Sequence, residues 1–134
     1  MPSGLLTEED IEAYLEKVKE SINSNRFCIS NRPENEEFFN TYCCTEADAI
    51  AICRGLTCRD FSKRELSRNQ HKSGHILYFF GKKVPLIKKF DDGTDEVEVE
   101  LYIKFDLGQN GFTVCVSFHK AAHPIRYYFN SHTD

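Results

Sequence analysis

Residues 97–120 read VEVELYIKFDLGQNGFTVCVSFHK, and within them Tyr102, Lys104, Ser117, His119 and Lys120 stand where threonine and serine would serve an ordinary wetted strand. A phenol, an ammonium and an imidazole are the groups that bind a phosphate and move protons beside it. Histidine titrates near 6.5 and acts as acid or base at neutral pH without help. Lysine and tyrosine titrate near 10, so they transfer protons only if their surroundings lower them. Otherwise they clamp and donate. Cleavage of RNA without a metal needs a base for the 2′-hydroxyl, an acid for the departing 5′-oxygen and cations for the phosphorane charge. The bland alternative for these side chains is a solvated sheet face.

Their positioning follows from alternation. Val97, Val99, Leu101, Ile103, Phe105 and Leu107 are apolar, with Glu98, Glu100, Tyr102, Lys104 and Asp106 between them. Phe112, Val114, Val116 and Phe118 alternate in turn with Thr113, Cys115, Ser117 and His119. Side chains alternate across a strand, so these are two strands with an apolar face packed inward and a polar face outward. A tight turn within Gly108–Gly111 sets Leu107 opposite Phe112, Tyr102 opposite Ser117 and Glu100 opposite His119. Tyr102 and His119 are then diagonal neighbours at roughly 7–8 Å. A bulge would break this parity.

Charge is distributed unevenly. The net charge is −4, yet residues 54–89 hold ten basic side chains against Asp60 and Glu65, while the segments on either side are acidic. Such a field attracts polyanions whatever the average. It is also expected to lower a lysine's pKa and to favour tyrosinate. Lys63, Arg64, Arg68 and Lys72 lie in FSKRELSRNQHKSG, which has no clear period and is read as a helical turn followed by a loop beside the polar sheet face.

The remaining elements complete an α+β reading: N-terminal helices packed on one face of an antiparallel β-sheet. Thr7-Glu8-Glu9-Asp10 begins an amphipathic helix carrying Ile11, Tyr14, Leu15, Val18 and Ile22, which runs to about Asn23. Residues 26–30 form a short strand, 36–42 a second helix, and Thr45 caps a third that stops at Gly55. Residues 75–80 are a strand that Gly81–Pro85 breaks; 91–94 are a turn; and IRYYF (125–129) is a closing edge strand. At 134 residues, with 11 Phe and 6 Tyr, the chain is expected to form one domain, 1–134, around a real core. No basic, apolar leader or membrane-length run is present, and the cysteines read as reduced thiols, Cys43, Cys44, Cys53 and Cys58 filling the core around the helices. The expected compartment is the cytoplasm.

Taken in order, LEKVKESINSNRF, GLTCRDFSK, HILYFFGKKVPL, VELYIKF and VCVSFHK resemble the MqsR branch of the RelE-like bacterial toxins, over roughly Tyr14 to Lys120. These are the RNA-cleaving halves of type II toxin–antitoxin pairs. The resemblance implies a RelE-like fold, a metal-independent endoribonuclease (an mRNA interferase) with no cofactor, mRNA as substrate, a cognate antitoxin as partner, no membrane contact, and oligomers formed through toxin–antitoxin assembly. Lys63 matches the family's essential lysine and Tyr102 its essential tyrosine. His119 stands where the family usually has lysine, with Lys120 following at once. Tyr78 falls near a family glutamine. The stretch 32–44 is longer than the family's, and the tail beyond Lys120 is extra.

Together these assign Lys63, Tyr102 and His119 to catalysis, His119 as acid or base with Tyr102 as partner. Arg64, Arg68, Tyr78, Lys104 and Lys120 are assigned to RNA: Lys104 and Arg68 clamp phosphate with Lys63, and Tyr78 stacks an unpaired base. The tail strand offers an edge to an antitoxin. Two alternatives stand beside this reading. One is an RNA- or protein-binding domain without catalysis. The other is a zinc site at His71-x3-His75 or His119-x3-His123.

Overall fold

The computed structural model describes residues 5–68, 74–89 and 95–129. Helix α1 (Glu8–Asn23) starts on the expected box: the Asp10 N–H donates to Thr7 Oγ1 at 3.1 Å and the Thr7 N–H to Asp10 Oδ2 at 2.9 Å. Its stripe Ile11, Leu15 and Val18 is buried. Strand β1 (Phe27–Ile29) follows. Helix α2 spans Pro33–Thr41, three residues ahead of its expected start because Pro33 suits the first helical turn. Helix α3 (Glu46–Arg54) and the 3-10 turn Cys58–Asp60 each carry a capping box, from Thr45 and Thr57.

Strands β2 (Phe61–Leu66), β3 (Ile76–Leu86), β4 (Val97–Leu107) and β5 (Thr113–Lys120) join β1 in one five-stranded sheet of order β1-β5-β4-β3-β2. The sheet is mixed, not antiparallel throughout: β1 runs parallel to β5. Segment 61–66 is a strand at the sheet edge where a helical turn was expected. Gly81 and Pro85 do not break β3. Past Phe80 that strand has lost β2 and pairs with β4 alone, where a missing N–H is tolerated. Lys72, His71 and the turn 91–94 lie outside the described residues.

The helices cover one face of the sheet. Phe38 of α2 meets Phe118 edge to face at 5.6 Å, and Phe61, Phe80, Leu101, Ile103, Phe105 and Cys115 are fully buried beneath the helices. Each such side chain contributes about 1.5–3 kcal/mol of hydrophobic stabilisation, so this layer holds the fold.

Two bulges decide what reaches the opposite, open face. In β2, Phe61 pairs with Phe80 but Lys63 pairs with Phe79, so Ser62 is the extra residue. Phe61 thereby stays in the core while Lys63 turns outward. In β5, Lys104 pairs with Ser117 but Phe105 with Cys115, leaving Val116 over. The expected parity fails already at the turn, where Leu107 pairs with Thr113, and the bulge restores it beyond Val116. Thr113 and Cys115, expected outside, are buried under the helices; Ser117 and His119 lie on the open face, Ser117 covered there. Asn35 holds the bulge. Its amide donates to Val116 O (3.1 Å) and Ser30 O (2.8 Å), and its Oδ1 accepts the Phe118 N–H at 2.8 Å.

Residues 125–129 form no strand. The chain instead crosses the open face over Gly81, rounds the sheet edge and packs Tyr128 and Phe129 against Phe61. Both oxygens of Glu100 hold it, taking the Ile125 N–H at 3.2 Å and the Tyr127 hydroxyl at 2.6 Å. One backbone bond to β2, from the Tyr128 N–H to Phe61 O at 2.9 Å, joins them, without a ladder.

Candidate functional site

Two rungs of the open face carry the chemistry. One runs Lys63–Phe79–Lys104–Ser117 across β2 to β5; the next sets Gly81 beside Tyr102 and Tyr102 beside His119. Tyr102 and His119 are direct cross-strand partners, their ring centroids 5.3 Å apart, closer than the expected diagonal. The turn shifts the register by one residue, Leu107 pairing with Thr113 rather than Phe112, and the Val116 bulge shifts it by a second.

Phe79 is the floor. Although it faces outward it is 5% exposed, because side chains close over it: Lys63 Nζ lies 4.9 Å and Lys104 Nζ 5.4 Å from its centroid, with the Tyr102 ring at 5.9 Å. Two ammonium groups resting on one aromatic face give a cationic patch with an apolar base.

The titratable groups respond to this packing. Burial pushes the Tyr102 phenol above its ordinary value, against the opposing pull of Lys63 and Arg32. Tyrosinate is therefore not favoured, contrary to the expectation from segment charge: desolvation of a half-buried phenol outweighs nearby cations. Lys104 is lowered, first by its own burial and then by Arg32. Glu65 is held below its usual range by its bond to Lys63, Nζ to Oε2 at 2.9 Å. His119 Nδ1 lies 3.0 Å from Lys120 O. A carbonyl only accepts, so Nδ1 carries a proton and Nε2 is left for an incoming group.

The other assigned residues divide. Arg68 lines a cleft with Arg32, Glu65, Lys104 and Asp106 on the open face. Arg64 and Tyr78 do not join it. They pair with each other on the helix side, Arg64 Nη1 donating to the Tyr78 hydroxyl at 3.3 Å, and Tyr78 stacks on Tyr14 of α1 at 3.7 Å. No base can stack where α1 already lies. Lys120 is paired with Leu101 and borders α2 beside Glu34 and Glu37. Alternation gives the physical reason: successive residues cannot share a face, so His119 on the open face turns Lys120 to the helix side, where it is exposed at the strand end.

The cationic segment likewise does not act as a block. Lys82 approaches Asp60 at 3.8 Å and Arg54 binds Asn23 at 3.3 Å. Lys63 and Arg68 reach the open face, while Lys104 and Arg32 come from acidic stretches of the chain. Arg32, not foreseen, sits at the N-cap of α2, with Nη1 3.5 Å from Ser117 Oγ. A lone arginine before a proline carries no periodic signal. Phe79 and Asn35 were missed for a similar reason, since one reads as core and the other as solvent.

His119 and His123 both line a cleft of about 420 Å³ with Lys63, Phe79 and Tyr102. Among the described residues no three His, Cys, Asp or Glu side chains are placed to share a metal ion. Nor is any described helix long and apolar enough to cross a membrane. Comparison with known protein families, curated proteins and solved structures finds no match for the chain.

Proposed function

We propose that this chain is a metal-independent endoribonuclease of the RelE-like, MqsR-type class, the toxin of a type II toxin–antitoxin pair acting on mRNA in the cytoplasm. The observation that carries the reading is the Tyr102–His119 cross-strand pair, with Lys63 and Lys104 against Phe79 on the same face. The ordered sequence motifs add the family.

In this reading His119 Nε2 takes the proton of the 2′-hydroxyl, whose oxygen attacks the adjacent phosphorus. The charge gathered on the phosphorane meets Lys63 and Arg32, and the neutral Tyr102 phenol donates to a non-bridging oxygen. The 5′-oxygen leaves with a proton from Lys104, the ammonium whose pKa burial lowers toward working pH. Products are a 2′,3′-cyclic phosphate and a 5′-hydroxyl. Positioned acid–base groups are worth about 10²–10⁴-fold each.

The test is cleavage of a single-stranded RNA in chelator, by the wild type and by His119→Ala, Tyr102→Phe and Lys63→Ala. Cutting that ends in a cyclic phosphate, stops when the scissile 2′-hydroxyl is methylated and falls at least a hundredfold in His119→Ala supports the proposal. RNA that is bound and never cut assigns the chain to a non-catalytic binding domain.

A further inference from the structure

The tail beyond Lys120 is outside the motif pattern, yet it is built into the open face. Glu100 holds it through both carboxylate oxygens. Ser62 Oγ donates to Arg126 O at 2.7 Å, and the Tyr128 N–H donates to Phe61 O at 2.9 Å. Position 81 leaves room for it: a Cβ there would lie 2.5 Å from Ile125 Cδ1 and 2.7 Å from the Tyr127 hydroxyl, so any other residue would push these side chains aside. Four hydrogen bonds on residues 125–128 hold the tail, and the segment 122–126 lies as a wall over the open face.

That wall turns an open sheet into a pocket. Phe79, Tyr102 and His119 form one side; Pro124 and Ile125 form the other; Lys63 and Arg126 lie at its rim. At about 420 Å³ it falls near the lower end of the roughly 300–1,000 Å³ range of small-ligand clefts. A base needs aromatic and apolar walls, and its phosphate needs cations; both line this cleft.

We propose that the anchored tail and the rings of Tyr102 and His119, with the covered ring of Phe79 as floor, form a pocket for one unpaired ribonucleotide, which restricts this site to single-stranded RNA. The proposal rests on the ribonuclease reading only for RNA as the source of that nucleotide. Hydrogen bonding to the base edge is not required, because any base offers a stacking face.

The test is binding to the full chain, followed through the ring protons of His119 and His123 by NMR, with uridine 3′-monophosphate, ribose 5-phosphate and inorganic phosphate as probes. The nucleotide is expected to bind about tenfold or more tighter than either baseless probe, the range that stacking supplies. Ile125→Ala should remove most of that advantage and leave phosphate affinity unchanged. A short single strand should compete with the nucleotide, and its duplex should not. Equal affinity for nucleotide and phosphate overturns the pocket, as does effective competition by the duplex. If Ile125→Ala does not fold, the probe series on the wild type decides. Cleavage is not part of the readout, so nucleotide binding without RNA cutting sinks the ribonuclease and spares the pocket, whereas cutting without nucleotide preference does the reverse.

Discussion

Asn35→Ala tests the packing logic of the site most directly. Asn35 is 1% exposed, and its amide serves three backbone groups around the β5 bulge: Ser30 O, Val116 O and the Phe118 N–H. Alanine removes the partner of all three, leaving a buried Phe118 N–H and two half-buried carbonyls. A hydrogen bond is worth about 1 kcal/mol net, and an orphaned buried group costs about 1–3 kcal/mol. Three groups with partial relaxation give a loss of about 3 kcal/mol. With a urea slope of about 1–3 kcal/mol/M, the unfolding midpoint should fall by about 1–3 M at unchanged slope. Asn35→Asp keeps the acceptor for Phe118 and sets a carboxylate against two carbonyls. Burial and that repulsion raise its folded-state pKa, so its stability should recover as pH falls through that raised value. His119 lies just beyond the bulge, so its ring resonances should shift in both variants. A loss below about 1 kcal/mol, with those resonances unmoved, would mean that the bulge holds itself and that Asn35 does not position the site.

Other outcomes follow from the same contacts. Glu65→Gln releases Lys63 from its 2.9 Å partner. Because the pair is largely exposed, stability should change by less than about 1 kcal/mol, while RNA affinity by filter binding rises severalfold; a fall in affinity refutes the clamp. Ultraviolet difference titration against Tyr102→Phe should find the Tyr102 phenol ionising above its ordinary value of 10.0, and later still in Lys63→Ala, which removes a cation that favours the phenolate. Ionisation below 10.0 contradicts its burial. Lys104 has a folded pKa below the ordinary 10.5, so in the window between the two the unfolded chain binds more protons and stability rises with pH. Lys104→Met should erase that rise in chemical denaturation at matched pH values. RNA binding should weaken with salt at a logarithmic slope of about −0.7 per phosphate contact, and Lys63→Ala should reduce the slope by about one such unit; an unchanged slope removes Lys63 from the contact set.

Much of this architecture is written locally. Thr7 and Asp10, Thr45 and Asp48, and Thr57 and Asp60 start their helical turns through side chains three positions from the groups they cap, so the residues alone determine them. The alternation of β4 likewise holds from Glu98 to Phe105, and with it the outward faces of Tyr102 and Lys104. Periodicity determines a face only while the register is unbroken. The Ser62 and Val116 bulges each insert one residue without a signature in hydrophobic pattern, and each re-phases everything after it. Whether Lys63 and His119 reach the face of Tyr102 therefore depends on groups distant in the chain. Asn35 grips the β5 bulge from α2, and the tail returns to bind Glu100, Ser62 and Phe61. Arg32 reaches Ser117 only because α2 docks on β5. The sequence by itself determined which side chains have the chemistry; the tertiary structure decided which of them meet, because bulges and long-range hydrogen bonds choose the face and no local pattern encodes either.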